Sequence, residues 1–120
     1  MASRRLLVTA LFLLLGCGTD PAPHGALSLT VSATAIDADG VNFAVIQVTG
    51  TSVGKVSIRS NRGSFEGMGN LIFFNKAPFA TTLVSCDSRT SSSCAGMATI
   101  DASDESLAGA GGQVMFRQVP

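Results

Sequence analysis

From Leu27 onward, apolar and polar residues alternate in short runs. In "LSLTVSATAI", Leu27, Leu29, Val31, Ala33 and Ala35 fall on one face, and Ser28, Thr30, Ser32 and Thr34 fall on the other. A period of two is that of a half-buried strand, so the folded part is expected to begin near Leu27. "DADG" interrupts it, and "VNFAVIQVTG" starts the next strand, with Ala44, Ile46 and Val48 as one candidate inner row and Phe43, Val45 and Gln47 as the other. In "VGKVSIRSNRGSF", Val56 and Ile58 alternate with Lys55, Ser57 and Arg59 before Gly63 bends the chain, and Phe65 reads as an anchor packed on the core.

"NLIFFN" is a dense apolar run that ends at "KAPF". Pro78 belongs at an edge or between strands, since it has no N–H to give to a ladder. "ATTLVSC" and "GMATIDA" read as the two arms of a hairpin, with Ala98, Ile100 and Ala102 sharing a face of the second. Gly109, Gly111 and Gly112 in "SDESLAGAGG" read as a loop. In the closing strand "QVMFRQV", Val114 and Phe116 alternate with Gln113, Met115 and Arg117. Beyond residue 26 no segment offers sustained helical spacing, so the body is expected to be an all-β antiparallel sandwich of about seven strands.

The first residues follow a different rule. Arg4 and Arg5 precede an apolar run, Leu6 to Leu15, broken only by Thr9. These are the proportions of an export signal. A helix over that run rises about 15 Å, half of the roughly 30 Å hydrocarbon core, so a transmembrane span is not expected. Residues 18–26, "GTDPAPHGA", carry Pro21, Pro23 and two glycines without periodicity and read as a tether.

"LLGC", Leu14 to Cys17, resembles the lipobox of bacterial lipoprotein signal peptides at all four positions. The resemblance implies a signal peptide over 1–16, cleavage after Gly16, and a diacylglycerol on the Cys17 thiol, leaving a lipidated amino end and tether over 17–26. Gly18 follows Cys17 where an Asp would mark retention, the pattern that accompanies passage to the outer membrane in enterobacterial lipoproteins. Membrane lipid held through Cys17 is thus the first expected partner.

Export also decides the remaining cysteines. Three cysteines become one lipid carrier and one pair, and in an oxidising compartment Cys86 and Cys94 are expected to close a disulfide around "CDSRTSSSC". A ring of that length is worth about 2.6 kcal/mol in loop-closure entropy before strain is subtracted. It reads as the staple of an exposed Ser/Thr tip and not as a metal or redox centre, since no histidine lies near.

Three stretches resemble bacterial immunoglobulin-like domains of the invasin and intimin group: "DADGVNFAVIQVTG", an Asp-Gly turn into a strand; "VSIRSNRGSF", a strand ending in a Gly-x-Phe corner; and "AGMATIDASD", where Gly96 and Ala98 open a late strand. The resemblance covers 27–119. It implies an immunoglobulin-like β-sandwich that binds, adheres or spaces at the bacterial cell envelope, with an envelope protein or a cell-surface component as partner.

Charge and motif chemistry narrow the remaining choices. Lys+Arg and Asp+Glu both number 8, and loss of Arg4 and Arg5 with the leader leaves a slight acidic excess. The basic residues are spread singly, so no footprint for DNA or RNA exists. His24, the sole histidine, lies in the tether and has no base or ligand to work with. No serine stands in a G-x-S-x-G elbow, and Gly109-Ala110-Gly111-Gly112 lacks the Lys-Ser/Thr of a phosphate loop. No cofactor and no enzyme activity are expected.

Two alternatives remain. Asp37-x-Asp39-Gly40 opens like an EF-hand loop, but Val45 and Val48 stand where side-chain ligands are needed. A turn in which Asp37 accepts backbone N–H bonds and Gly40 takes a positive φ accounts for the same letters. The alternative is calcium held by Asp37 or Asp39 with Asp101, Asp104 or Glu105 across a sandwich end. A small carboxylate hydrolase would instead need Glu66 within about 5 to 9 Å of an aspartate such as Asp101. Phe73 and Phe74 are adjacent and so point to opposite sides of a strand, which makes them the candidate apolar docking patch.

Overall fold

In a computed structural model, residues 24–120 are described. Cys17, the leader over 1–16 and the tether up to residue 23 lie outside them. Nine strands follow in order: β1 (Ala26–Val31), β2 (Ala35–Asp37), β3 (Phe43–Thr51), β4 (Val56–Ser60), β5 (Ser64–Phe65), β6 (Leu71–Phe74), β7 (Phe79–Val84), β8 (Gly96–Ser103) and β9 (Gly109–Arg117). They form a four-stranded sheet, β1-β3-β7-β5, and a five-stranded sheet, β2-β9-β8-β4-β6. Every pairing is antiparallel except the short parallel match of β2 with β9. The protein is an immunoglobulin-like β-sandwich, with β2 and β5 adding brief edge pairings to the expected set of strands.

The inner rows follow the period of two. Ala44, Ile46 and Val48 of β3 are fully buried, while Phe43 points outward. Val56 and Ile58 of β4, Ala98, Ile100 and Ala102 of β8, and Val114 and Phe116 of β9 fill the opposing layer. Phe65 and Phe116 are the largest fully buried side chains, and Phe65 is the expected anchor. These rows exclude water from both inner faces, at about 25 cal/mol for each Å² of apolar surface removed.

Three expectations are corrected. The first concerns "LSLTVSATAI", which is two strands in two sheets. Ser32 closes the pairing with β3, exchanging Ser32 N–H to the Val45 carbonyl at 2.9 Å and accepting Val45 N–H on its hydroxyl at 2.8 Å. Thr34 then accepts Met115 N–H and starts the run along β9. The inward phase shifts with the switch: Leu27, Leu29, Val31 and Ala33 pack on the core before it, and Ile36 and Ala38 are buried after it.

The second concerns "ATTLVSC" and "GMATIDA", which are not arms of one hairpin. β7 lies between β3 and β5, and β8 lies between β4 and β9, so the connection crosses from one sheet to the other. Alternation reports which face of a strand is buried but not which strand it pairs with. Cys86 and Cys94 are disulfide-bonded within that crossover, which ends in a 3-10 turn at Ser92–Cys94.

The third concerns the glycine run, which is strand and not loop. Gly109, Gly111 and Gly112 all lie in β9. A Cβ on Gly112 would stand 2.6 Å from Leu29 Cδ2 and 3.0 Å from Val31 Cγ2. The missing side chain is what lets β1 close over β9 at that level.

Candidate functional site

The outer face of the five-stranded sheet carries two cross-strand rows that each run from an apolar residue on β6 to a glycine on β9. Strand register sets Phe73 of β6 beside Ser57 of β4, then Ser103 of β8, then Gly109 of β9. One step along, Leu71 stands beside Arg59, Asp101 and Gly111. Both rows thus run from an apolar side chain at β6 to none at β9, the first through two serines and the second through Arg59 and Asp101. The result is a polar floor with an apolar wall, formed because period two sends these residues outward while Ile58, Ile100 and Ala102 point into the core.

The wall is well exposed: Phe73 is 63% and Leu71 47% accessible. A depression of about 210 Å³ lies over Ser57, Arg59, Leu71, Phe73, Asp101 and Ser103. A second, of about 440 Å³, continues over β8 and β9 and shares Asp101. The Ser57 and Ser103 hydroxyls meet at 3.2 Å in the floor. Arg59 and Asp101 are direct cross-strand neighbours without forming one of the ion pairs seen among the described residues. Chemically the face offers one cation, one anion, hydroxyls and an apolar edge, which suits recognition of an extended polar chain with apolar groups.

Phe74 does not share this face. Its ring stacks on Phe79 with centroids 3.9 Å apart, packed against the core beside the loop that contains Pro78. The candidate patch therefore reduces to Phe73, with Leu71 as the partner that adjacency in sequence did not reveal. The signal for Leu71 was present, since it lies two residues from Phe73 and so on the same face.

The aspartates singled out in the sequence do not converge. Asp37 is paired with Arg117 at 3.0 Å where β9 ends, and Asp104 lies where β9 begins. The length of β9 separates the two ends by roughly 25 Å. The side chain that accepts in this turn is that of Asp39, whose Oδ1 takes Val41 N–H at 2.9 Å and Asn42 N–H at 2.7 Å, while Asp37 accepts Asp39 N–H only through its backbone carbonyl, at 3.0 Å. The Asn42 backbone bond first, and then that of Val41, hold its carboxyl below the usual range. Gly40 has the expected positive φ, 83°. Among the described residues no group of three or more His, Cys, Asp or Glu is placed to hold a metal ion.

Asp104 is also an acceptor of backbone bonds and is 5% exposed. Its carboxylate takes Val53 N–H at 2.8 Å, Ala108 N–H at 3.0 Å, and both the backbone N–H and the hydroxyl of Ser106. The Val53 bond leads in holding its pKa below the ordinary value. Asp87 beside the disulfide is lowered chiefly by the Arg89 side chain, which bonds it at 3.0 Å. Glu66 accepts the hydroxyl of the buried Thr81 at the edge of the four-stranded sheet, whereas Asp101 stands on the outer face of the other sheet. The two carboxylates thus belong to different sheets. His24 is exposed at the start of the described residues.

Compared with known proteins, the chain matches no family model and no curated sequence.

Proposed function

We propose that this protein is a lipid-anchored binding module of the bacterial cell envelope, related in kind to the immunoglobulin-like domains of the invasin and intimin group. In this reading Cys17 carries the lipid, and the sandwich presents the outer face of its five-stranded sheet to an envelope or cell-surface partner without performing catalysis. The anchor is supported by Arg4 and Arg5, the apolar run and the "LLGC" box in their proper order. Export is supported further by the Cys86–Cys94 disulfide, a bond at home in an oxidising compartment.

The binding face rests on one observation: Phe73 and Leu71 stand exposed above a polar floor of serine, glycine, Arg59 and Asp101. Exposed aromatic and aliphatic anchors beside a polar rim are the usual energetic centre of an interface. The test is recovery of partners from envelope extracts by the lipidated protein and by a Leu71→Ala/Phe73→Ala form. Loss of most partner recovery at unchanged thermal stability is expected. Equal recovery by both forms would reject the face.

A further inference from the structure

The most exposed large apolar side chain among the described residues is not on that face. It is Leu107, 86% accessible at the tip of the β8–β9 hairpin. Its φ is +68°, a left-handed region that is strained for leucine and that glycine or asparagine would occupy more cheaply. Two unfavourable features thus coincide at one residue, and the surrounding hairpin is hydrogen-bonded to itself and to the neighbouring loop. Leu107 N–H bonds the Asp104 carbonyl at 3.1 Å, Asp104 N–H bonds the Ala108 carbonyl at 3.0 Å, and the Asp104 carboxylate ties the loop to Val53.

The tether from Cys17 arrives at this same loop. Gly25 N–H donates to the Ser106 hydroxyl at 3.0 Å, one residue from Leu107. A Cβ on Gly25 would collide with the Asp104 carboxylate, so Gly25 is seated closely on the hairpin. Chain geometry limits the span from Cys17 to Gly25 to at most about 29 Å. Both lysines of the chain lie at this end as well: Lys55 donates its N–H to Glu105 at 2.9 Å, and Lys76 precedes Ala77, which bonds Ser52 at 2.9 Å.

We infer that Leu107 is a membrane-contacting residue: the β8–β9 tip rests on the lipid surface, with Leu107 in the boundary between headgroups and acyl chains and Lys55 and Lys76 toward anionic headgroups. The inference rests on the reading that Cys17 carries the lipid. Its consequence is orientation. The sandwich stands on this end and leaves the Phe73 face accessible at its side.

The chain contains no tryptophan, so a single Trp reports its own surroundings. Lipidated Leu107→Trp protein would be placed in phosphatidylethanolamine/phosphatidylglycerol vesicles containing lipids brominated in the acyl chains. Val41→Trp, at a residue 76% exposed in the turn at the opposite end, serves as the control. Quenching at least several-fold stronger at 107 than at 41, with a blue-shifted emission, is expected. Equal or absent quenching at 107, in protein whose mass shows diacylglycerol on Cys17, overturns the inference and leaves the anchor standing. A mass without lipid on Cys17 overturns both.

Discussion

The two ends of the sandwich are closed by different means. At one end the chain crosses between sheets, and the closure is covalent: Cys86 and Cys94 hold the crossover, and Ser88 within it donates to the Ala38 carbonyl and accepts Val119 N–H, both at 2.9 Å. Asp39 and Asp87 cap their own turns there. At the other end a single buried carboxylate, Asp104, gathers Val53, Ser106 and Ala108 without any covalent link. The difference follows from loop length. A long crossover leaves much entropy to remove, which a disulfide does well, whereas a tight hairpin leaves four nearby donors that one carboxylate can satisfy. The covalent end is built for permanence, and the carboxylate end receives the tether.

Breaking the covalent end is expected to have the largest effect. A Cys86→Ala/Cys94→Ala protein should lose about 2 to 3 kcal/mol of unfolding free energy in urea titration, since the ring constrains the unfolded chain. No change in midpoint would mean that the Ser88 clamp already holds the crossover.

Asp104→Asn comes next. It keeps one oxygen as acceptor but turns an N–H₂ toward Val53 N–H, so the melting temperature should fall by several degrees, less than for the cysteine variant. Combining the two changes should give additive losses, because the ends share no partners. The acid response sharpens the same point. Asp39, Asp87 and Asp104 all have pKa values held below the usual carboxylate value, so the unfolded chain takes up protons first as pH falls. Their stabilisation is complete above about pH 4 and is lost as pH drops through the lowered values. Asp104→Asn should remove one share of that loss, seen as a flatter fall in melting temperature below about pH 4.

Leu107→Asn should have the smallest effect and the opposite sign. Asparagine tolerates a positive φ and exposes no apolar surface, so a slightly higher melting temperature in detergent-free buffer is expected. A drop would mean that Leu107 serves the fold.

Much of this architecture is legible in the sequence. The buried rows of β3, β4, β8 and β9 follow directly from alternation, as does the anchoring role of Phe65. Pairing partners do not, because a period of two is the same whichever neighbour a strand takes. This is why β7 and β8 read as a hairpin and why the disulfide read as a tip staple. Glycine signals loops in a sequence, yet Gly112 is required by the approach of Leu29 and Val31, which only the packed sheets reveal. Asp104 similarly reads as one of several acidic surface residues until the fold supplies its donors. The outer face was half legible: Phe73 stood out as aromatic, while Arg59, Asp101 and Gly111 acquire meaning only from register.

The central claim is that one end of this sandwich is held in lipid while the other is locked by a disulfide in an oxidising compartment. Intact-mass analysis of the protein purified from membranes of its native host tests both ends together. The account predicts a chain beginning at Cys17, carrying diacylglycerol on that residue and lacking two hydrogens at Cys86 and Cys94. A soluble chain that retains Arg4 and Arg5 and has three free thiols would contradict it.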